Sequence, residues 1–157
     1  MSKGPVTGAL NMVEVKTAEL DGPALHWVVA QIEGVPVDLA PPHYGTGWRV
    51  FQVATGCAYR PTVDWGQCGP LLERFFVTFG AVCTPEQPRT ADQVRIRAHG
   101  YKLEADGFPK FSRLGAGPNI RVAACRSIVL AHRGDSVLVP EVLAQAGRGA
   151  GNASGPV

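Results

Sequence analysis

Residues 118–133 constrain this fold more than any other stretch. Pro118 pre-sets the backbone for a first helical turn. Ile120, Ala123, Ala124, Ser127, Ile128 and Ala131 then recur at helical spacing and share one face. That face is rich in alanine, so the helix can lie close against a sheet. Gly134 stops it, and Asp135-Ser136-Val137-Leu138-Val139-Pro140 returns as a strand.

The rest of the chain is broken into short elements, because it holds 19 glycines and 13 prolines. Residues 13–20 alternate and read as a strand. Asp21-Gly22-Pro23 starts a helix, with Asp21 as cap and Pro23 in the first turn. Leu25, Val28, Val29 and Ile32 form its apolar face, and Gly34 ends it. Trp27 lies off that stripe and is expected to pack beneath the long loops. Residues 36–47 read as a loop, 48–53 as a strand, and 59–63 as an extended edge segment carrying Pro61. Residues 64–73 read as a capped short helix with Pro70 near its start. Residues 74–82 have strong strand propensity. Residues 83–91 are polar and rich in proline. Val94, Ile96 and Ala98, then Tyr101, Leu103 and Ala105, alternate on either side of His99-Gly100, which predicts a hairpin turning there. Residues 108–117 read as another loop.

This order is not a regular βαβ alternation, so the expected class is α+β. The expectation is a single compact domain, with a mixed or mainly antiparallel sheet against two longer helices and one short helix. It would span 12–143, between a flexible tail at 1–11 and a disordered Gly/Ala/Ser-rich tail at 144–157. One domain suits a chain of 157 residues.

Composition removes several functions. A formal charge of +2 gives no support for nucleic acid or an anionic membrane as partner. No apolar run reaches the length of a membrane span. The first twelve residues lack the apolar core of a secretory signal, so the expected location is the cytoplasm. Cys57, Cys68, Cys83 and Cys125 form no CxxC pair and have no histidine at zinc spacing. They are expected as thiols, with neither metal nor cofactor.

The candidate binding turn is Asp64, Trp65, Gln67, Gly69, Pro70 and Glu73. A helix N-terminus there would offer N–H groups and partial positive charge beside a flat indole, a setting for a small anion, a base or a peptide carboxylate. The simpler reading makes Asp64 a cap, Trp65 a core residue, and Gly66 and Gly69 turn formers. Cys68 at a helix start invites a nucleophile reading, but His26, His43, His99 and His132 are all remote in sequence. Asp64 and Glu73 could pair for acid–base work, although a single carboxylate at each end of a short helix is more often a cap and a surface charge. Gly115-Ala116-Gly117-Pro118-Asn119-Ile120-Arg121 approaches a helix start with a cation nearby, yet matches no phosphate-loop spacing. Arg95, Arg97, Lys102, Arg126 and Arg133 are interspersed with Asp92, Glu104 and Asp106, which reads as a mixed-charge surface. Gly147-Arg148-Gly149 is too short to be a binding tract.

Three blocks resemble the NinX-like phage proteins. The first is Val15-Lys16-Thr17-Ala18-Glu19-Leu20, with Ala24-Leu25, Trp27 through Ala30, and Glu33-Gly34. The most specific is the run from Tyr59-Arg60-Pro61-Thr62-Val63 through Asp64-Trp65-Gly66-Gln67-Cys68 to Gly69-Pro70-Leu71-Leu72-Glu73-Arg74. The third runs from Pro118 to Leu130, then Gly134-Asp135, Val137 and Val139-Pro140-Glu141. The blocks follow the family's order. Residues 36–57 and 82–113 depart from its usual connections, and Cys68 stands where the family tends to have glycine. The resemblance implies a phage or prophage origin in a bacterium and a domain without an assigned activity.

The sequence thus points to a small non-enzymatic binding or protein-interaction module, with a host or phage protein as partner. No catalytic residue is assigned. The second reading is a nucleic-acid accessory protein of phage replication or recombination. The third is a hydrolase or transferase built on Asp64, Gln67, Cys68 and Glu73.

Overall fold

The alternation that begins at Val13 produces a shorter strand than the pattern suggests. In the computed structural model, which describes residues 11–80 and 95–145, β1 spans Met12–Lys16 and gives way to a 3-10 turn, Thr17–Glu19. Buried Leu20 closes that turn by donating its N–H to the Thr17 carbonyl at 3.1 Å. Asp21 then caps α1 (Gly22–Glu33), accepting the Gly22 N–H at 2.8 Å. Gly34 ends α1 at φ 81°, a left-handed angle that glycine adopts without steric penalty. The apolar stripe is confirmed by Leu25, Val28 and Val29, all buried, while Trp27 is half-buried.

The expected loop after Gly34 contains a strand. Val37–Ala40 (β2) pairs antiparallel with Arg49–Gln52 (β3), Val37 opposite Gln52 and Ala40 opposite Arg49. Pro36 and Pro41 bracket β2 so tightly that its alternation has no length in which to show. The expected extended segment at 59–63 is mostly a turn. Only the Ala58–Phe51 bridge and the Tyr59 N–H to Val50 carbonyl bond continue the pairing, before 61–63 turn away. Pro61 has no N–H to extend the ladder.

Backbone contacts divide the chain into two units, Met1–Arg60 with Ser136–Val157, and Pro61–Asp135. In the first unit, β1 pairs antiparallel with β7 (Ser136–Pro140), Met12 opposite Pro140 and Lys16 opposite Ser136. Helix α1 packs on β7 and β3. Leu20, Leu25, Val29, Val139 and Leu143 are fully buried in it. The Tyr59 hydroxyl donates to the Glu33 carboxylate, and residues 141–145 are helical.

The second unit holds α2 (Trp65–Arg74), a sheet in the order β4 (Thr78–Phe79), β5 (Ile96–Leu103), β6 (Pro109–Gly117), and α3 (Ile120–Arg133). The strand expected at 74–82 is replaced in its first part by the end of α2. Phe75 and Phe76 form the turn that follows, and only Thr78 and Phe79 pair, with His99 and Ala98.

The expected hairpin at His99-Gly100 is also corrected. β5 runs straight through both residues, and the chain reverses at 104–108, where the Glu104 N–H donates to the Phe108 carbonyl at 3.1 Å. The expected loop at 108–117 is β6, which pairs with β5 over its whole length, with a bulge between Gly100 and Tyr101. The physical reason is close packing. A Cβ on Gly100 would stand 2.3 Å from the Ser127 carbonyl oxygen, and one on Gly115 would stand 2.6 Å from the Ser127 nitrogen. These glycines are strand residues that make room for α3, not turn residues. The alanine-rich stripe of α3 accordingly lies on this sheet, with Ala123, Ala124 and Ile128 fully buried.

Asn119, one residue past the expected start, caps α3 by accepting the Val122 N–H at 2.9 Å. Pro70 lies inside α2 rather than near its start. All strand pairs among the described residues are antiparallel, so the chain is α+β. The expectations for 1–10, Cys83, the rest of 81–94, and 146–157 fall outside the described residues. Among those described, no helix is long and apolar enough to cross a membrane.

Candidate functional site

The candidate turn is built by the cap of α2. Asp64 is extended, at φ −99° and ψ 113°. Its Oδ1 accepts the Gly66 N–H at 2.8 Å, and its carbonyl accepts Gln67 N–H at 3.2 Å and Cys68 N–H at 2.9 Å. The N–H groups of Gly66, Gln67 and Cys68 in the first turn are therefore engaged by the chain itself. The Asp64 carboxylate occupies the position at which an incoming anion would meet the Gly66 N–H.

Helical spacing sorts the remaining residues by face. Cys68 and Leu71 point inward and are buried. Trp65, Pro70 and Glu73 are exposed, while Gln67 and Gly69 are half-buried beside them. Gly69, one turn on from Trp65, presents no side chain next to the indole.

Trp65 is not a core residue. Half of it is exposed, at 50%. The guanidinium carbon of Arg121, from the first turn of α3, lies 4.8 Å from the centre of its ring. Arg121 is held in turn by donating its Nε–H to the Thr62 carbonyl at 3.0 Å. A cation over an exposed indole contributes about 0.5–1 kcal/mol. Here it also fixes the orientation of a large aromatic surface.

The other groupings do not assemble a reaction centre. Asp64 and Glu73 sit at opposite ends of α2, about 13 Å apart along its axis at 1.5 Å per residue. Cys68 is fully buried. A hydrogen bond with Cys125 pulls its thiol below the ordinary value, burial pushes it back up, and the Arg121 charge pulls it down again. His132 is engaged by its own surroundings: its Nδ1 lies 2.9 Å from the Ile128 carbonyl, and its ring packs edge-on with Phe75. Burial, more than any neighbouring charge, lowers the His132 pKa. His99 meets Thr78 Oγ1 at 3.2 Å. His26 and His43 belong to the other unit. The glycine-rich approach at 115–117 is strand, its Cβ positions turned against α3. Among the described residues, no three His, Cys, Asp or Glu side chains come together to hold a metal ion.

Arg121 is the residue that sequence reasoning did not connect to the turn. It was legible only as a cation near a helix start. Nothing local pairs it with Trp65; the contact exists because α2 packs on α3. The exposed ring of Phe111 on β6 was also out of reach, since β6 read as a loop.

The family model for Bacteriophage P22, NinX matches residues 16–132, a span that includes all of α2 and all of α3 but its last residue. No curated protein matches the chain.

Proposed function

The chain belongs to the Bacteriophage P22 NinX family, and from that premise we propose that it is a non-enzymatic protein-interaction module acting in the bacterial cytoplasm. Its contact surface is the outer face of α2, with Trp65 at the centre, Gly69, Pro70 and Glu73 around it, and Asp64 and Gln67 setting the turn. The single observation that carries this reading is the half-exposed Trp65 held under Arg121. Tryptophan and arginine dominate the energetics of protein interfaces, and a side chain already fixed loses little entropy on binding. Burial of Cys68 and the separation of Asp64 from Glu73 support a contact role over a catalytic one. The thiols of Cys57, Cys68 and Cys125, none in a disulfide, suit a reducing compartment.

The test is capture from cells carrying the phage genes, compared between the natural chain and Trp65→Ala. The expected result is a protein retained by the natural chain and lost with the variant, since truncating a central tryptophan costs about 2–4 kcal/mol of binding. Retention indifferent to Trp65 would contradict the assignment.

A further inference from the structure

The turn that follows α2 holds a phenylalanine in a backbone conformation that this residue avoids. Phe76 has a φ of 55°, in the left-handed region, where a bulky side chain is an outlier. Its N–H donates to the Glu73 carbonyl at 3.4 Å, and the Val77 N–H to the Leu72 carbonyl at 3.0 Å, so the turn closes back on α2. The Phe76 side chain is nevertheless 43% exposed. Strain of this kind clusters at active sites and ligand clamps.

Phe76 lines a cleft of about 180 Å³ together with Arg74, Phe75, Tyr101, Leu103 and His132. The Arg74 guanidinium carbon lies 5.5 Å from the centre of the Phe75 ring, and the His132 ring meets Phe75 edge-on at 5.1 Å. Beside these rings the edge of β5 is bare. β4 pairs with β5 only at His99 and Ala98, and Arg97 turns its carbonyl to that side to accept the Gly80 N–H at 2.9 Å. Backbone groups alternate along a strand, so Tyr101 and Leu103 turn theirs the same way, past the end of β4. No described residue pairs with them there.

The charges at the cleft are cations. Arg74 lines it. Lys102, between Tyr101 and Leu103, takes the α3 side of β5, where it and Arg133 both act on the His132 ring. Among the described residues, no acid pairs with Arg74, Lys102 or Arg133. Their acidic neighbours in sequence, Glu73 and Glu104, do not line the cleft.

We propose that this cleft receives an extended peptide carrying one large apolar side chain next to an acidic residue. The apolar group enters among Phe75, Phe76 and Tyr101, the peptide backbone pairs with the bare edge at Tyr101 and Leu103, and the carboxylate meets Arg74 in the field of Lys102 and Arg133. Volume selects a single side chain, because about 180 Å³ is below the roughly 300 Å³ at which small-molecule sites begin. The bare edge selects a peptide, since a free small acid would leave those backbone groups unpaired. The cleft adjoins the end of α2 opposite to Trp65, and its binding stands or falls independently of the Trp65 contact.

The test is an array of acetylated heptapeptides probed with the full chain. The central residue is varied through all amino acids, with aspartate, serine or lysine on either side, and the best sequence is then measured by fluorescence anisotropy. A central phenylalanine, leucine or methionine between aspartates should be retained best. Changing the centre to alanine, or the aspartates to lysines, should weaken binding about tenfold, and so should N-methylation of the peptide backbone. Phe76→Gly should abolish binding while leaving the melting temperature unchanged or raised, because glycine adopts this φ without penalty. Arg74→Ala should weaken the aspartate-flanked peptide about tenfold and leave the serine-flanked one unchanged. Trp65→Ala should affect neither. The proposal is overturned if no peptide is retained above its alanine-centred form, if binding ignores flanking charge, Arg74 or Phe76, or if phenylacetate at equal concentration displaces the peptide.

Discussion

At the scale of single residues, His26 gives the sharpest prediction. It sits on α1, buried, and that burial pushes its pKa from 6.5 down to about 4; Asp21 pulls it up and Arg60 pushes it down. In the unfolded chain the imidazole takes a proton as pH falls through 6.5, while the folded chain resists until about 4. The unfolded state therefore binds more protons in this window, and stability falls with pH. Above pH 6.5 this group imposes no loss. Between pH 6.5 and 5, urea unfolding should show a loss of about 1.5 kcal/mol from His26 alone. His26→Leu should flatten that slope, whatever its effect on stability at pH 8. An unchanged slope in the variant would mean that His26 titrates normally in the fold.

At the scale of elements, the contact between α3 and its sheet depends on missing side chains. Gly100→Ala or Gly115→Ala would drive a methyl group into the Ser127 backbone. Each should destabilise the unit by about 2–3 kcal/mol, as overpacking of a rigid contact does. Gly47→Ala, whose Cβ would meet nothing within 4 Å, should be near neutral by the same thermal melt. Equal effects at Gly47 and Gly100 would refute close packing as the reason for the strand glycines. The same contact explains what was legible in the sequence. α1 and α3 were readable because cap, stripe and stop residue agree, as with Asp21, Leu25-Val28-Val29 and Gly34. β5 and β6 were misread because a glycine used for interhelix-to-sheet clearance is locally indistinguishable from one used for a turn. β2 was missed because four residues between prolines cannot display a period. The site divided in the same way. Asp64 as cap follows from its own neighbours, whereas the exposure of Trp65 and its partner Arg121 follow only from tertiary packing.

At the scale of the whole molecule, the two units differ in character. The unit of residues 61–135 carries the positive excess and the Trp65–Arg121 pair; the other carries β1, β7, α1 and a slight acidic excess. Binding is accordingly expected to follow substitutions in the first of these and to ignore surface changes in the second. The most direct measurement places a photo-crosslinking amino acid at Glu73, on the outer face of α2, or at Val53, equally on the surface but in the other unit. In cells carrying the phage genes, the account predicts a discrete protein adduct from Glu73 and none from Val53. An adduct from Val53 alone, or the same adduct from both positions, would contradict it.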